Sequence, residues 1–230
     1  MVFDAAFEYP GDAEMARLLS ELACPRALAE CRALLRGAVA AQKTPLPSVL
    51  VRELFQGREP HFRNLAQADR FVASLFALLG QLQRRFSGSE WACEPEPPAA
   101  GSLEQRTAAR CAEVRAFLRG LDLGATDPAL LDEAGQAALA TLTEASAYLG
   151  AISGLAGTDT PTQGALRTLT DRQVEALETM TADCMQRIEQ SLRRQRAPDG
   201  SRLPGSGVGP SDLCACGSGR PFRRCCGAPS

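Results

Sequence analysis

The sequence predicts an all-α protein: a globular body of about seven helices, a flexible linker and a small cysteine-rich knuckle at the C-terminal end. Three observations predict it. Apolar side chains through residues 1–196 recur at steps of three and four, the spacing of one helical face. No stretch of the body alternates apolar and polar residues with the period of two that a half-buried strand needs. The apolar runs are broken at Pro, Gly and Asp, residues that start and stop helices. With 230 residues, 45% of them hydrophobic, the chain has room for one sizeable domain and an appendage.

Taken in order, Asp12 is placed to cap a first helix carrying Met15, Leu18, Leu19 and Leu22. Pro25 starts a second, with Leu28, Cys31, Leu34, Leu35, Ala38 and Val39 on one side. Pro47 suits the first turn of a short third helix that stops near Gly57. A long fourth begins at about Ala66 and carries Ala68, Phe71, Val72, Leu75, Leu78, Leu79, Leu82 and Phe86. Residues 87–102 include Glu-Pro-Glu-Pro-Pro and read as a loop. A fifth helix covers about Leu103 to Leu121, with Cys111, Val114, Phe117, Leu118 and Leu121 apolar. Asp127-Pro128 opens the next, with Leu130, Leu131, Leu139, Leu142, Tyr148 and Leu149. A last long helix covers about Thr162–Arg196, with Leu166, Leu169, Val174, Leu177, Met180, Cys184, Ile188 and Leu192. Two of these helices share a local pattern, Leu34-Leu35-Arg36-Gly37-Ala38 and Phe117-Leu118-Arg119-Gly120-Leu121, and a glycine so placed allows close backbone approach or ends the helix, packing being the favoured reading. The organisation is a body at 1–196, a Gly/Pro/Ser-rich tether at 197–210 and a cysteine-rich end at 211–230.

That end carries the chain's clearest chemistry. Cys214 and Cys216 are two positions apart, and Cys225 and Cys226 follow after one short turn. Two pairs of soft ligands around a glycine turn are how a small tetrahedral metal site is written, with thiolates about 2.3 Å from the metal. Gly217 and Gly219, on either side of Ser218, let the chain curl back and aim backbone N–H groups at the sulfurs. Arg220, Arg223 and Arg224 offset the charge of four thiolates and favour the deprotonated form. Phe222 is the large apolar side chain available to anchor so small a unit. The alternatives are disulfides or free thiols. A bridge between adjacent Cys225 and Cys226 is strained, because neighbouring Cα atoms are about 3.8 Å apart and disulfides want about 4.4 Å or more. A tetrahedral four-sulfur site suits zinc first and iron second.

Charge is distributed unevenly. Residues 1–186 hold 17 basic and 24 acidic side chains, a net of −7, whereas 187–230 hold 8 basic and 3 acidic, a net of +5. A metal on four thiolates brings the tail to about +3, a modest charge that suits an acidic protein or ribosomal RNA as well as ordinary solvation. No apolar run approaches the roughly 20 residues of a membrane span. The opening Met-Val-Phe-Asp-Ala-Ala-Phe-Glu is acidic and lacks the order of a secretory signal, so a soluble, cytoplasmic protein is expected.

A search for an active site finds little. The single histidine, His61, follows Pro60 at the approach to a helix and has no evident partner for catalysis. Cys24, Cys31, Cys93, Cys111 and Cys184 show no ligand spacing among themselves. Cys31, Cys111 and Cys184 lie on apolar faces, and Cys93, in the loop beside Trp91 and without a basic neighbour, is the one of the five expected to be reactive. There is no phosphate-binding glycine loop, no nucleophile elbow and no recognised carboxylate pair. Trp91 alone is no stacking platform for nucleic acid.

The Cys-x-Cys-Gly-Ser-Gly run, the Arg- and Phe-containing stretch and the closing Cys-Cys resemble the SEC-C motif, which ends the translocation motor SecA and many otherwise unrelated bacterial proteins. The resemblance covers about residues 211–227 and puts Cys214, Cys216, Cys225 and Cys226 on its four ligand positions, with Cys226 where some members have His and arginines where lysines are common. It implies a zinc-held surface that docks on a protein partner, which for SecA is the export chaperone SecB or the ribosome. The body resembles the YecA/YgfB-like all-α family over about residues 14–155. The corresponding segments are Ala33–Ala41, Pro47–Phe55, Glu59–Phe62 with Phe71–Leu82, and Phe117–Leu121. Ala116 departs from the family's usual Gly, and the usual nearby Trp is absent. Together these readings point to a non-enzymatic interaction or adaptor protein. An enzyme with an unrecognised helical site, or a ribosome- or RNA-binding protein using the basic tail, stand as alternatives.

Overall fold

The computed structural model describes residues 9–87, 101–155 and 171–196, and its regular structure is helical throughout. These residues form seven α-helices: α1 (Asp12–Glu21), α2 (Leu28–Ala40), α3 (Pro47–Leu54), α4 (Leu65–Ser87), α5 (Leu103–Leu123), α6 (Glu133–Leu155) and α7 (Asp171–Arg196). A 3₁₀ turn at Pro128–Leu130 precedes α6. The expected all-α body is what the sequence builds. Residues 162–170, given to the last helix by its apolar spacing, lie outside the described residues, as do 88–100 and everything beyond 196.

The helix starts show where local chemistry departs from the simple reading. Asp12 does not cap α1; the cap position is Gly11, in a conformation with φ +95°. The Asp12 carboxylate instead takes the Tyr9 hydroxyl, at 2.9 Å, and the Arg32 guanidinium. Helix α2 begins three residues after Pro25, where the Glu30 carboxylate accepts the Ala27 N–H at 3.3 Å. Asp127 caps only a 3₁₀ turn, accepting the Ala129 N–H at 2.9 Å. The chain then breaks and restarts because Asp132 offers a second cap, accepting the Gly135 N–H at 2.8 Å. Ser102 and Gln105 cap α5 reciprocally, each side chain accepting the other's backbone N–H at 3.3 and 3.0 Å. Pro47 sits in the first turn of α3 and Gly57, at φ +80°, follows its end, both as their residue types require.

The centre of the body is the pair α2 and α5. A Cβ on Gly37 would run into the carbonyl oxygen of Phe117, and a Cβ on Gly120 into that of Leu34. Each glycine therefore meets the carbonyl three residues before the other glycine, and the two backbones touch with no side-chain layer between them. The helices run in the same direction, since past the crossing the Lys43 N–H donates to the Gly124 carbonyl and the Gln42 N–H to Thr126 Oγ1. Close approach is the role expected of the repeated Arg-Gly pattern. Helices α1, α3 and α4 pack on the α2 side, and α6 and α7 on the α5 side, with α7 reaching α2 and α4 as well. Phe71 of α4 and Phe117 of α5 are fully buried, and Phe55 and Phe62 close over Phe71 with ring centroids 5.8 and 5.9 Å away. Val72 and Tyr148, assigned to apolar faces by spacing, are 40% and 43% exposed. Each sits about 100° round its helix from a fully packed neighbour, Phe71 or Leu149, and so falls off the buried stripe.

Polar groups tie the outer helices to this centre. Glu189 of α7 is buried, and its two oxygens accept from Arg36 Nε and a terminal Arg36 nitrogen of α2, both at 3.0 Å. Arg106 of α5 grips Glu178 of α7 at 2.6 and 3.2 Å, while Arg110 reaches Thr181 Oγ1 at 2.7 Å and the Glu178 carbonyl at 3.0 Å. The start of α6 is pinned to α7 where the Asp132 N–H donates to Ser191 Oγ at 2.8 Å and Arg194 donates to the Asp132 carboxylate at 2.7 Å.

Candidate metal centre

The body delivers the chain to the cysteine-rich end at a defined place. Arg196, the last residue of α7, donates to the Val39 carbonyl near the end of α2 at 2.9 Å. Its guanidinium lies 5.2 Å from the centre of the Phe86 ring at the end of α4. The last turn of α7 is rich in arginine (Arg193, Arg194 and Arg196), which complements the carbonyl end of a helix. The ends of α2, α4 and α7 thus meet at Arg196.

Cys214, Cys216, Cys225 and Cys226, with Gly217, Ser218, Gly219, Arg220, Phe222, Arg223 and Arg224 between them, lie outside the described residues. Their fitness for a metal rests on the donor set: four thiolates in two close pairs, the composition of a closed tetrahedral zinc or iron site. Among the described residues no group of three or more His, Cys, Asp or Glu side chains could hold a metal ion. His61 is exposed in the segment before α4.

The remaining cysteines divide by burial. Cys31, Cys111 and Cys184 are buried on helical faces, as their spacing predicts, and burial pushes the Cys111 and Cys184 thiols up. Cys93 lies outside the described residues. Cys24, which the sequence left unassigned, has the perturbed thiol. A hydrogen bond from the Cys31 thiol lowers it to about 7, aided by the Arg26 N–H and guanidinium and opposed by burial and by Glu30. Cys31, as the donor, is pushed up. Spacing alone hides this pair because its members belong to different elements. The signal was Pro25, which turns the chain at once from the end of α1 into the approach to α2.

An open groove of about 630 Å³ runs along α6 and α7, lined by residues that include Ala137, Thr141, Arg172, Glu175, Met180 and Arg187. Its lining also includes Asp183 and Cys184. The large apolar side chains most exposed to solvent, Leu46, Leu65, Val72 and Tyr148, fall on three different elements. No described helix is long and apolar enough to cross a membrane.

The fold and the cysteine pattern thus define an all-α protein that carries a SEC-C motif, a class often associated with metal binding. The SEC-C motif family matches residues 211–228, which include all four cysteines of the pattern. The crystal structure of the lpg0076 protein from Legionella pneumophila is similar to this chain with a TM-score of 0.55 and 17% sequence identity, over 81% of this chain and 98% of that one. At that identity the likeness shows the fold. No curated protein matches the chain.

Proposed function

We propose that this is a non-enzymatic adaptor, cytoplasmic, with a YecA/YgfB-like helical body and a zinc knuckle that docks on a protein partner such as an export chaperone or the ribosome. The observation that carries the reading is the SEC-C match at 211–228, with Cys214, Cys216, Cys225 and Cys226 in the order and spacing of a four-thiolate site. A unit of this size cannot fold on apolar burial, so the metal supplies its folding free energy, on the order of 10 kcal/mol or more. Arg220, Phe222, Arg223 and Arg224 are then held on the outside of the knuckle as the docking surface. The Gly/Pro/Ser-rich 197–210 stretch tethers the knuckle to the body and raises its effective concentration near whatever the body holds.

The test is affinity capture from lysate with the intact chain and with the Cys225→Ser/Cys226→Ser variant, with metal content measured on both. The intact chain is expected to carry one zinc and to retain one partner that the variant loses together with its metal. Iron in place of zinc would revise the metal and leave the docking role standing. Unchanged partners in a metal-free variant would overturn the knuckle as the docking surface. If ribosomes are captured, a steep loss of co-sedimentation with salt assigns the contact to ribosomal RNA phosphates, and a shallow one to a ribosomal protein.

A further inference from the structure

We propose that the chain's own cysteine-rich end, residues 211–228, docks on the body in a groove between the Pro128–Leu130 turn and α6, and stays there until a partner displaces it. The inference rests on the reading of Arg220, Phe222, Arg223 and Arg224 as a docking surface; the groove itself is built by the body alone. Asp127 caps the 3₁₀ turn and Asp132 restarts the chain as α6, which leaves Pro128 and Ala129 beside the first turns of that helix. The open groove between them has a volume of about 610 Å³, and Leu139 and Ala140 of α6 line it together with Pro128 and Ala129. Pro128, Ala129 and Ala140 are exposed and Leu139 is half-buried, so the body leaves this apolar surface uncovered. Glu144 is the charged residue of the lining.

Charge selects the occupant. Residues 120–155 carry five acidic side chains, Asp122, Asp127, Asp132, Glu133 and Glu144, and no Lys, Arg or His. Arg119 and Arg194 take up Asp122 and Asp132. Asp127, Glu133 and Glu144 are exposed and give the groove an acidic border. Such a groove suits a basic segment that carries one large apolar side chain. Beyond residue 196 that segment is Arg220-Pro221-Phe222-Arg223-Arg224, three cations around one aromatic ring. The groove between α6 and α7 suits it less. There Arg172 and Arg187 accompany Glu175 and Asp183, so an arginine-rich segment meets no net attraction.

Reach favours the same place. Arg194, in the last turn of α7, bonds to the Asp132 carboxylate at 2.7 Å, so the chain leaves the body beside the start of α6. From Asp132 to Glu144 is about 18 Å along the helix. A Gly/Ser-rich chain as long as residues 197–210 spans about 20 Å as a random coil. A segment tethered at that length meets the groove at an effective concentration near millimolar, so weak surface contacts suffice to hold it.

The test uses the full-length, metal-loaded chain with the photo-crosslinking residue p-benzoylphenylalanine in place of Phe222. This chain is ¹⁵N-labelled and mixed with unlabelled native chain before irradiation and digestion with trypsin. The expected adduct joins the peptide of residues 203–223 to that of residues 120–167, both labelled and therefore from one chain. Its yield is expected to fall about fivefold or more in Asp127→Asn/Glu133→Gln/Glu144→Gln, which removes three exposed charges and keeps the side-chain shapes. Small-angle X-ray scattering, on chains that keep Phe222, needs no photoreactive residue. The radius of gyration should be larger in the triple variant than in the native chain, by on the order of 1 Å or more. An adduct on another peptide, an adduct joining two chains, a yield unmoved by the triple variant, or equal radii would each overturn the proposal. Metal content measured on the same samples separates this inference from the function it rests on. A metal-loaded chain that fails these readouts overturns the docked tail and leaves the adaptor standing. A chain without metal overturns the metal centre, while the adduct still decides the docking.

Discussion

At the scale of single residues, two carboxylates show how differently similar groups are used. Glu189 is about 1% exposed and accepts two hydrogen bonds from Arg36, a buried pair joining α7 to α2. Removing one member of such a pair leaves the other's charge poorly compensated, at a cost of about 3 kcal/mol or more, whereas replacing both with apolar groups of similar volume is far cheaper. Glu189→Ala is therefore expected to lower the urea midpoint sharply, and Arg36→Met/Glu189→Leu to recover much of the loss; a double variant as unstable as the single would contradict this account. Asp132 is a surface cap instead. The Gly135 N–H above all, then Ser191 and Arg194, hold its carboxyl below the usual carboxylate range. A depressed acid stabilises the fold above the unfolded carboxyl pKa, near 4, and that contribution is lost as pH falls through the lower folded value. Asp132→Asn keeps the cap and removes the charge. It should be less stable than the native chain at pH 6, with the difference shrinking as pH falls below the ordinary carboxylate range, as denaturation midpoints across that range will show. Asp132→Ala, which loses the cap as well, should cost about 1 kcal/mol at any pH where the cap is formed.

At the scale of elements, the crossing of α2 and α5 is the feature most sensitive to a single methyl group. Alanine ordinarily favours a helix over glycine by about 1 kcal/mol. At Gly37 and Gly120 the added Cβ meets backbone carbonyl oxygens, which cannot swing aside as a side chain can. Gly37→Ala and Gly120→Ala are each expected to destabilise the body by about 1–3 kcal/mol net, the range for overpacking. Equal or raised thermal stability in either would show that the helices can separate without loss. The two glycines were legible in the sequence as packing positions, because the same apolar-apolar-Arg-Gly run occurs twice, but that they pack against each other was not, since nothing local joins the two runs. The helices were legible for the same reason: Phe71, Leu75, Leu78, Leu82 and Phe86 repeat at helical steps whatever surrounds them. The starts were less so. Asp12, Asp127 and Asp132 are all competent caps, and which of them cap an α-helix depends on Arg32, Ser191 and Arg194, which arrive from distant parts of the chain. The lowered Cys24 thiol was hidden likewise, since a thiol's acidity depends on what folding sets against it. The four cysteines of the matched motif needed no such information to be noticed, because their pattern lies within one short stretch of sequence.

At the scale of the whole molecule, the proposed function has different forces holding the body and the cysteine-rich end. The described helices bury an apolar core and contain no candidate metal cluster. A strong chelator should therefore release the metal and leave the helical circular dichroism and its thermal midpoint unchanged; a chelator that melted the helices would refute the division.

The direct backbone contact at Gly37 and Gly120 has a mechanical consequence. Two helices that share no side-chain layer have nothing compliant between them. The carbonyls that face Gly37 and Gly120 leave no room for a side chain at the crossing. The pair behaves as an axle, and amides at 34–38 and 117–121 should exchange with deuterium only on global unfolding, with slower rates there than anywhere in α6 or α7. Helix α7 ends at Arg196 against α2 and α4, so it is the helix that a pull on the following chain would reach first.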